Sequence, residues 1–284
     1  MKNLWFRNML DSIAVQGREL IGLDNAERSK QGIETLCSQL LAGRGEASGI
    51  ALSQEILRRY SGLDDDSKLD FFHKLAMDFS PKFEPLQMAF SRYQKTLSAE
   101  DLIALNGAVE APRQELFRRL NMAPHGTARL VSLRADLLAV VKRNPTLKSV
   151  DADLKHLFSS WFNRGFLQLH NIDWKSPAYI LEKLINYESV HAIDGWQDLR
   201  RRLLKDRRCF AFFHPAMPDE PLIFIEAAFV KGLSCKISVL IDPQAPVLDP
   251  VLADTAIFYS INNTQKGLSG ISFGNFLIKQ VLTE

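Results

Sequence analysis

The spacing of apolar residues changes once along the chain, near residue 170, and this change limits the possible fold more than any other feature. From residue 4 to about residue 166, apolar side chains recur every three or four positions, as at Leu69, Phe72, Leu75 and Phe79. This is the period of a helix, so we predict an all-helical first half made of several packed helices. Helix breaks are predicted where glycine, proline or asparagine disfavour a helix, at residues 43–46, 80–81, 121–126 and 144–145.

Beyond residue 170 the pattern becomes mixed. Ser176 and Pro177 are expected to open a helix, with the serine as cap and the proline at the first helical position. A second short helix is predicted over 196–204. The apolar face of the first of these helices is expected to comprise Ile180, Leu181, Leu184, Ile185 and Val190.

Short apolar runs that follow are typical of strands. We predict strands at 209–213, 222–225 and 256–261, with a weaker candidate at 236–241. The sequence therefore predicts two domains, an N-terminal all-helical bundle over 1–168 and a mixed α/β domain over 169–284. Trp174 and Trp196 are expected to anchor the core of the second domain.

Composition and charge exclude several classes of function. The chain has 284 residues, 46% of them hydrophobic, and a net charge of only +2, which gives no electrostatic case for a nucleic-acid partner. A membrane span needs roughly 20 apolar residues, and the longest candidate run, 222–230, is interrupted by Glu226. Early charges such as Arg7 and Asp11 interrupt any signal-peptide core. We therefore expect a cytoplasmic protein with no membrane partner.

No metal site is predicted. Cys37, Cys209 and Cys235 are isolated, and the histidines never fall four residues apart, the spacing that places two ligands on one helical face. The acidic run Asp64 to Asp66 precedes a helical stretch, where carboxylates complement the helix dipole. A metal site in this run is the alternative interpretation.

The segment 256–281 carries the clearest chemical signal, because it reads as a strand, a glycine-bearing turn and a helix. Gly267 and Gly270 allow a close backbone approach, and a helix beginning near Gly267 would present free backbone N–H groups to an anion such as pyrophosphate. Lys266 would add positive charge. A tight turn without any ligand explains the two glycines about as well.

Gln265-Lys-Gly-Leu-Ser-Gly270 resembles the pyrophosphate loop of GNAT-type acetyltransferases. Four blocks in order, at 174–183, 187–196, 207–222 and 256–281, resemble the malonyl-CoA decarboxylase family. The resemblance implies that the second domain is an incomplete GNAT-like acyl-CoA-binding domain. It also implies that coenzyme A is bound by Gln265, Lys266, Gly267, Leu268, Ser269, Gly270 and Ile271.

The family converts malonyl-CoA to acetyl-CoA and carbon dioxide without a metal or prosthetic group, so the resemblance implies no cofactor, coenzyme A being part of the substrate. Decarboxylation leaves an enolate, which needs hydrogen-bond donors at its oxygen and an acid to protonate its carbon. The family's catalytic serine and histidine are expected downstream of Glu284. We therefore assign no catalytic residue, and expect these 284 residues alone to lack activity. A homo-oligomer through the helical domain is also expected.

Other interpretations stay open at this point. His214 and Ser260 could form an acid-base pair, Glu220 could orient a histidine, and Tyr259 is expected to be a half-buried strand residue. The basic run 200–208 fits either an anion site or, more simply, an exposed helix end. As whole-protein alternatives we consider a GNAT-type acyltransferase that needs an amine acceptor, and a non-catalytic coenzyme A-binding or assembly module.

Overall fold

The computed structural model describes residues 9, 12–13, 31–43, 45–234, 236–273 and 276–283. The chain divides into two compact units, Met1–Phe158 and Ser159–Glu284. Parts of the helical prediction, at residues 4–8, 10–11, 14–30 and 44, lie outside the described residues, as do Cys235 and residues 274–275 of the predicted strand-turn-helix segment.

Helices make up all the regular structure described in the first unit, as the three- and four-residue spacing predicted. The four predicted breaks each separate two helices and are confirmed. The helices are α1 (Ile33–Ala42), α2 (Glu46–Ser61), α3 (Asp65–Met77), α4 (Phe83–Thr96), α5 (Ala99–Val109), α6 (Pro112–Asn121), α7 (Gly126–Val140) and α8 (Lys148–Trp161), with a 3-10 turn at Pro145–Leu147.

The acidic run before α3 caps the helix. Asp64 lies at the cap position with extended backbone, and its carboxylate accepts a hydrogen bond of 2.8 Å from the Ser67 N–H. This contact satisfies one of the free N–H groups at the helix start. Across the described ranges, no group of three or more His, Cys, Asp and Glu side chains is arranged to hold a metal ion.

Helices α4 and α5 form a hairpin that packs on itself and leaves apolar side chains in solvent. Helix α4 has no buried residue, and α5 buries only Asp101. Asp101 accepts a hydrogen bond from Thr96 and pairs with Arg92, so the turn is braced. We call α4 and α5 the exposed hairpin, because these apolar residues are each more than half exposed: Phe83, Met88, Phe90, Leu97, Ile103 and Val109.

The second unit is built on an antiparallel sheet. Its strands are β1 (Gln168–Ile172), β2 (Arg207–Phe213), β3 (Ile223–Val230) and β4 (Thr255–Asn263), and among the described residues they lie in the order β1-β2-β3-β4. Strands β2, β3 and β4 confirm predicted runs, whereas β1 was missed. Its helices are α9 (Ala178–Tyr187), α10 (Gly195–Arg202), α11 (Ile237–Ile241) and α12 (Phe276–Val281).

Helices α9 and α10 connect β1 to β2 and pack on one face of the sheet. Leu184 of α9 and Leu199 of α10 lie in the same buried cluster as Cys209, Ala211 and Phe224 of the strands. The second and third strands are almost entirely buried, which explains their nearly continuous apolar sequence. None of the described helices is both long and apolar enough to cross a membrane.

Several local predictions in the second unit were wrong. The weak strand candidate at 236–241 is helix α11, and a helix does not begin near Gly267, where the chain forms a 3-10 turn at Lys266–Leu268. Pro177 lies at the cap position of α9 rather than at its first helical position. Val190 is half exposed, because it follows the end of α9 instead of continuing its apolar face.

The two tryptophans are surface residues rather than core anchors. Trp174 and Trp196 are each 45% exposed and stack edge to face, with ring centroids 6.2 Å apart. The Arg200 guanidinium lies over the Trp174 ring at 5.1 Å. The aromatic groups therefore cover each other at the surface, and the core prediction for both is wrong.

The packing of α9 on the sheet predicts the effect of a cavity there. Leu184→Ala removes a fully buried side chain, so we expect it to lower the free energy of unfolding by roughly 2–5 kcal/mol. The matched Leu233→Ala change, at a side chain that is 87% exposed, is expected to cost less than about 0.5 kcal/mol. Urea unfolding of both variants measures the difference, and equal midpoints would contradict the described packing.

Candidate functional site

A carboxylate lies inside the sheet. In the strand register, Glu226 of β3 pairs with Cys209 of β2 on one side and with Ser260 of β4 on the other. Directly opposed residues share a face of a sheet. Glu226 therefore points toward the face covered by α9 and α10, and it is fully buried.

A β-bulge beside Glu226 changes which residues of β4 face inward. The register shifts between Glu226 and Ala227, so that Glu226 pairs with Ser260 but Ala227 pairs with Phe258. Tyr259 is the additional residue on β4. Tyr259 and Ser260 are both buried, and the bulge removes the strict alternation that would turn consecutive residues to opposite faces.

Arg202, at the end of α10, neutralises the buried carboxylate. Its guanidinium donates to Glu226 Oε2 at 3.1 Å, to both oxygens of Asp198 at 3.1 Å, and to the Ala192 carbonyl at 3.0 Å. Arg202 and Glu226 side chains are both about fully buried. Among the described residues, no group forms a hydrogen bond of normal geometry with the second Glu226 oxygen, Oε1, or with the Tyr259 hydroxyl, and both atoms are buried.

Burial is the largest cause of the pKa shifts in this cluster. Burial raises the pKa of Glu226 to about 7; the attraction of Arg202 lowers it, and the nearby negative charge of Glu188 raises it further. Burial likewise raises the pKa of the Tyr259 hydroxyl and of the Cys209 thiol, with the charge of Glu226 adding to both shifts. The cluster can therefore hold a proton near neutral pH, inside the unit rather than at a surface.

Glu188 joins the end of α9 to the bulge. Its Oε1 accepts the N–H groups of Val190 and His191 at 2.9 and 2.8 Å, which closes the turn after the helix. Its Oε2 accepts a 2.8 Å hydrogen bond from the buried hydroxyl of Ser260. One carboxylate thus fixes both the turn after α9 and the adjoining residue of β4.

A second connection between the chain after α9 and β4 is made at Asn262, two residues along the strand from Ser260. Ser189 donates to the Asn262 side-chain oxygen at 3.0 Å, and the Asn262 amide nitrogen donates to the Tyr187 carbonyl. The chain after α9 is therefore attached to alternate residues of β4 along the same face of the sheet.

Glu220 lies in the turn between β2 and β3 and is bound by α9. Lys183 donates to Glu220 Oε1 at 2.5 Å and to the Asp219 carbonyl at 2.7 Å, and the Tyr187 hydroxyl lies 3.4 Å from Glu220 Oε2. Burial and the charge of Glu220 raise the pKa of Tyr187, which keeps its proton available for this bond. Glu220 contacts no histidine in these bonds, in contrast to the role considered from sequence.

Segment 265–271 follows β4 as a compact turn. Backbone N–H groups are used internally, with Leu268 donating to Gln265, Ser269 to Lys266, and Ile271 to Leu268 at 2.9–3.0 Å. These N–H groups are therefore not a free helix start directed at an anion. Within the segment the buried residues are Gly267, Leu268 and Ile271, whereas the exposed residues are Lys266, Ser269 and Gly270.

Two contacts attach the start of this segment to the turn that holds Glu220. Gln265 donates from its side chain to the Pro221 carbonyl at 3.3 Å, and the Thr264 hydroxyl donates to the same carbonyl. Farther along, Gly270 has φ of +74°, a left-handed conformation that favours glycine. The segment is thus defined by its backbone shape and by its attachment at one end.

His214 and Ser260 do not form the considered acid-base pair. The His214 Nδ1 atom accepts from the Ala216 N–H at 3.1 Å, so its proton lies on Nε2, which donates to the Trp161 carbonyl at 3.1 Å. Burial lowers the pKa of His214, although the bond to Trp161 opposes this shift. Ser260 instead donates to Glu188. Tyr259 is buried rather than half-buried.

The basic run 200–208 is neither a free anion site nor a uniformly exposed helix end. Arg201 forms a buried two-pronged pair with Asp206 at 2.8 and 3.1 Å, and Arg207 donates to the Leu240 carbonyl at 2.6 Å. Lys205 remains at the surface beside Asp249. Three of the six cations in this run, Arg201, Arg202 and Arg207, are therefore buried in ion pairs, and Arg207 also binds α11.

The residues that sequence reasoning missed are Arg202, Glu188 and the true environment of Glu226. The sequence contained a usable signal. Glu226 interrupts an otherwise apolar strand, and the arginines at 200–202 lie just before the preceding strand. A lone acid in a buried strand requires a partner. Which arginine would meet it depends on the packing of α10.

Family models match most of the chain. A model described as the malonyl-CoA decarboxylase C-terminal domain matches residues 165–284, and one described as the malonyl-CoA decarboxylase N-terminal domain matches residues 79–162. Segment 265–271 and the buried cluster both lie within the first match.

Curated proteins and solved structures agree with these models. Proteins named malonyl-CoA decarboxylase, mitochondrial, from Anser anser anser and Mus musculus are each 36% identical to this chain. The matches cover 82% of this chain and 49% of the Anser protein, and 66% of this chain and 39% of the Mus protein. The chain therefore spans half or less of the length of these relatives.

Two crystal structures of malonyl-CoA decarboxylase are similar to this chain. The protein from Rhodopseudomonas palustris is 52% identical with a TM-score of 0.85, over 88% of this chain and 61% of that protein. The protein from Cupriavidus metallidurans is 38% identical with a TM-score of 0.69, over 88% of this chain and 58% of that protein.

The raised pKa of Glu226 predicts a pH effect on stability. The folded carboxyl has a pKa of about 7 against an ordinary value of 4.5, so the unfolded chain releases this proton first as pH rises. Relative to Glu226→Gln, the wild type should lose stability between about pH 4.5 and pH 7, on the order of 3 kcal/mol. Urea unfolding across this range measures the difference.

The control for this measurement is Leu233→Ala, which alters an exposed side chain that does not titrate, so its stability curve should run parallel to the wild-type curve. Parallel curves for Glu226→Gln and the wild type would show that the carboxyl is not held in its protonated form by burial.

Proposed function

The chain belongs to the malonyl-CoA decarboxylase family, and from that premise we propose that it supplies the acyl-CoA-binding part of an enzyme that converts malonyl-CoA to acetyl-CoA and carbon dioxide. The chain spans 49% and 39% of the Anser and Mus relatives. The decarboxylation is therefore proposed for the whole enzyme, and coenzyme A binding is proposed for these residues.

The observation that carries the binding proposal is the form of segment 265–271 within the matched C-terminal domain. The segment leaves β4 as a compact turn whose backbone shape is set by internal hydrogen bonds. Its exposed residues include the cationic Lys266 and the left-handed Gly270, whose lack of a side chain allows close approach to the backbone. A pyrophosphate is recognised by groups of these kinds.

In this proposal coenzyme A is the part of the substrate that the protein binds, and no separate cofactor is proposed. Binding of the coenzyme A moiety places the thioester where donors can stabilise the enolate oxygen. The residues described here anchor the substrate, and none of them is assigned to protonation of the enolate carbon. Glu226 holds a proton but is fully buried beneath α10, so it is not proposed as that acid.

The comparisons do not favour the alternatives considered from sequence. A GNAT-type acyltransferase would need an acyl acceptor and would leave malonyl-CoA intact, whereas a silent binding module would hold coenzyme A without turnover. The similarity of segment 265–271 to a GNAT pyrophosphate loop stays a prediction.

Release of carbon dioxide from malonyl-CoA tests the proposed function. We expect the 284-residue chain to bind coenzyme A without releasing carbon dioxide, and a chimera followed by the C-terminal remainder of the Rhodopseudomonas palustris protein to do both. Carbon dioxide is measured with carboxyl-labelled malonyl-CoA, and binding by calorimetry. Transfer of an acetyl group from added acetyl-CoA to an amine by the chimera, with release of coenzyme A and with malonyl-CoA unchanged, would establish the acyltransferase instead.

We also propose that the exposed hairpin associates with a second copy of this chain. Phe83 and Phe90 lie seven residues apart on α4 and therefore on the same side of the helix. Both are more than half exposed, although the hairpin turn itself is braced by Asp101. Several exposed apolar side chains on one ordered element are typical of an association surface.

Introducing charge on the hairpin tests this association. The double variant Phe83→Glu, Phe90→Glu is expected to reduce the measured mass to that of a monomer, because carboxylates are costly to bury in an interface. Light scattering after size exclusion measures the mass. The matched control is Val251→Glu, Leu252→Glu, which alters two exposed residues of the second unit. A wild-type protein that is already monomeric would rule out the proposal.

The remaining partners and the location follow the sequence predictions. We propose malonyl-CoA as the small-molecule partner and propose no nucleic acid, since the net charge is only +2. No membrane partner is proposed either. A cytoplasmic location remains a prediction, and the Anser and Mus relatives are named as mitochondrial.

A further inference from the structure

We propose that Glu220, bound by Lys183 and Tyr187, is a positioning residue for segment 265–271. The inference rests on the proposed function, because it assigns the means by which the coenzyme A-binding segment is held. It does not make Glu220 a ligand contact or a catalytic residue. The inference follows from hydrogen bonds that connect α9, the turn between β2 and β3, and the end of β4.

The first step connects α9 to the turn. Lys183 binds two successive residues of the turn, the carbonyl of Asp219 at 2.7 Å and the carboxylate of Glu220 at 2.5 Å. The Lys183 and Glu220 side chains are only 24% and 32% exposed, so water screens their attraction less than at an open surface. Tyr187, one helical turn along α9, approaches the second oxygen of Glu220. The carboxylate is thus held from two positions on one rigid helix.

The second step connects the turn to the segment. The carbonyl of Pro221, the residue after Glu220, accepts hydrogen bonds from the Thr264 hydroxyl and from the Gln265 side chain. The Thr264 N–H donates to the Leu222 carbonyl at 3.0 Å. A rotation of the turn would move the Pro221 carbonyl and both of its donors. The orientation of the turn therefore sets the direction in which the chain enters segment 265–271.

The third step distinguishes the contacts of Glu220 from the contacts that hold β4. Ser260 and Asn262 are tied to Glu188, Ser189 and Tyr187, so the strand is fixed up to residue 262 without any contribution from Glu220. Loss of the Lys183–Glu220 pair should therefore leave the strand in place and release only the residues after it. Recognition of a pyrophosphate depends on backbone and side-chain direction, which small displacements degrade.

Two substitutions of the same kind test the role of the pair. Lys183→Met removes both bonds to the turn, whereas the control Lys205→Met removes an exposed pair with Asp249 in the same unit. The probes are coenzyme A, which contains the pyrophosphate, and pantetheine, which lacks it. We expect Lys183→Met to raise the Kd for coenzyme A about tenfold, the change produced by roughly one lost hydrogen bond. The Kd for pantetheine should not change, and Lys205→Met should alter neither value.

Two substitutions of Glu220, one conservative and one that removes most of the side chain, complete the test. Glu220→Gln keeps oxygen and shape at this position and should retain most of the coenzyme A affinity, whereas Glu220→Ala should reproduce Lys183→Met. Glu220→Ala also serves if Lys183→Met fails to fold, because Glu220 lies in a partly exposed turn outside the apolar core. Equal weakening of coenzyme A and pantetheine, or an unchanged Kd for coenzyme A, would overturn the positioning role.

Hydrogen exchange in the absence of ligand distinguishes this inference from the proposed function. In Lys183→Met the N–H groups of Leu268, Ser269 and Ile271 should exchange faster, whereas those of β4 should keep the wild-type rate. If the wild type does not bind coenzyme A, the proposed function fails, and faster exchange still supports the positioning role. If exchange in segment 265–271 is unchanged, the positioning role fails even when coenzyme A binds.

Discussion

The second unit depends on the buried contact between Arg202 and Glu226. The Arg202 guanidinium is removed from water, and a buried cation is costly unless acidic and carbonyl oxygens surround it. Arg202 also binds Asp198 within its own helix and the Ala192 carbonyl before it. Arg202 therefore connects α10 to β3 and to the chain that precedes the helix.

The β-bulge beside Glu226 extends the effect of this pair to β4. By adding Tyr259 to the strand, it places both Tyr259 and Ser260 in the interior, and Ser260 then reaches Glu188 at the end of α9. The same end of α9 binds Asn262 and, through Lys183 and Tyr187, the turn at Glu220. A succession of polar contacts thus leads from the centre of the sheet to the start of segment 265–271, where the proposed ligand is bound.

Errors in prediction from sequence occurred where local pattern and tertiary setting disagree. Residues 236–241 alternate weakly and form a short helix, whose Leu240 carbonyl is held by Arg207. Trp174 and Trp196 have the size of core residues, but they cover each other and Arg200 at the surface. The turn at 266–268 has the glycines expected at a helix start, yet its N–H groups are used to close the turn itself.

The sequence by itself determined the helical first unit, its breaks, the strands β2 to β4 and the family resemblance, because apolar period, turn residues and motif order are local properties of the chain. It also located segment 265–271, whose role remains proposed. Only the tertiary structure decided that Glu226 meets Arg202, that Ser260 meets Glu188 rather than His214, and that Glu220 is held by Lys183. These contacts depend on strand register, on one bulge and on the placement of α9 and α10. A shift of one residue in the register would turn every one of these strand side chains to the opposite face.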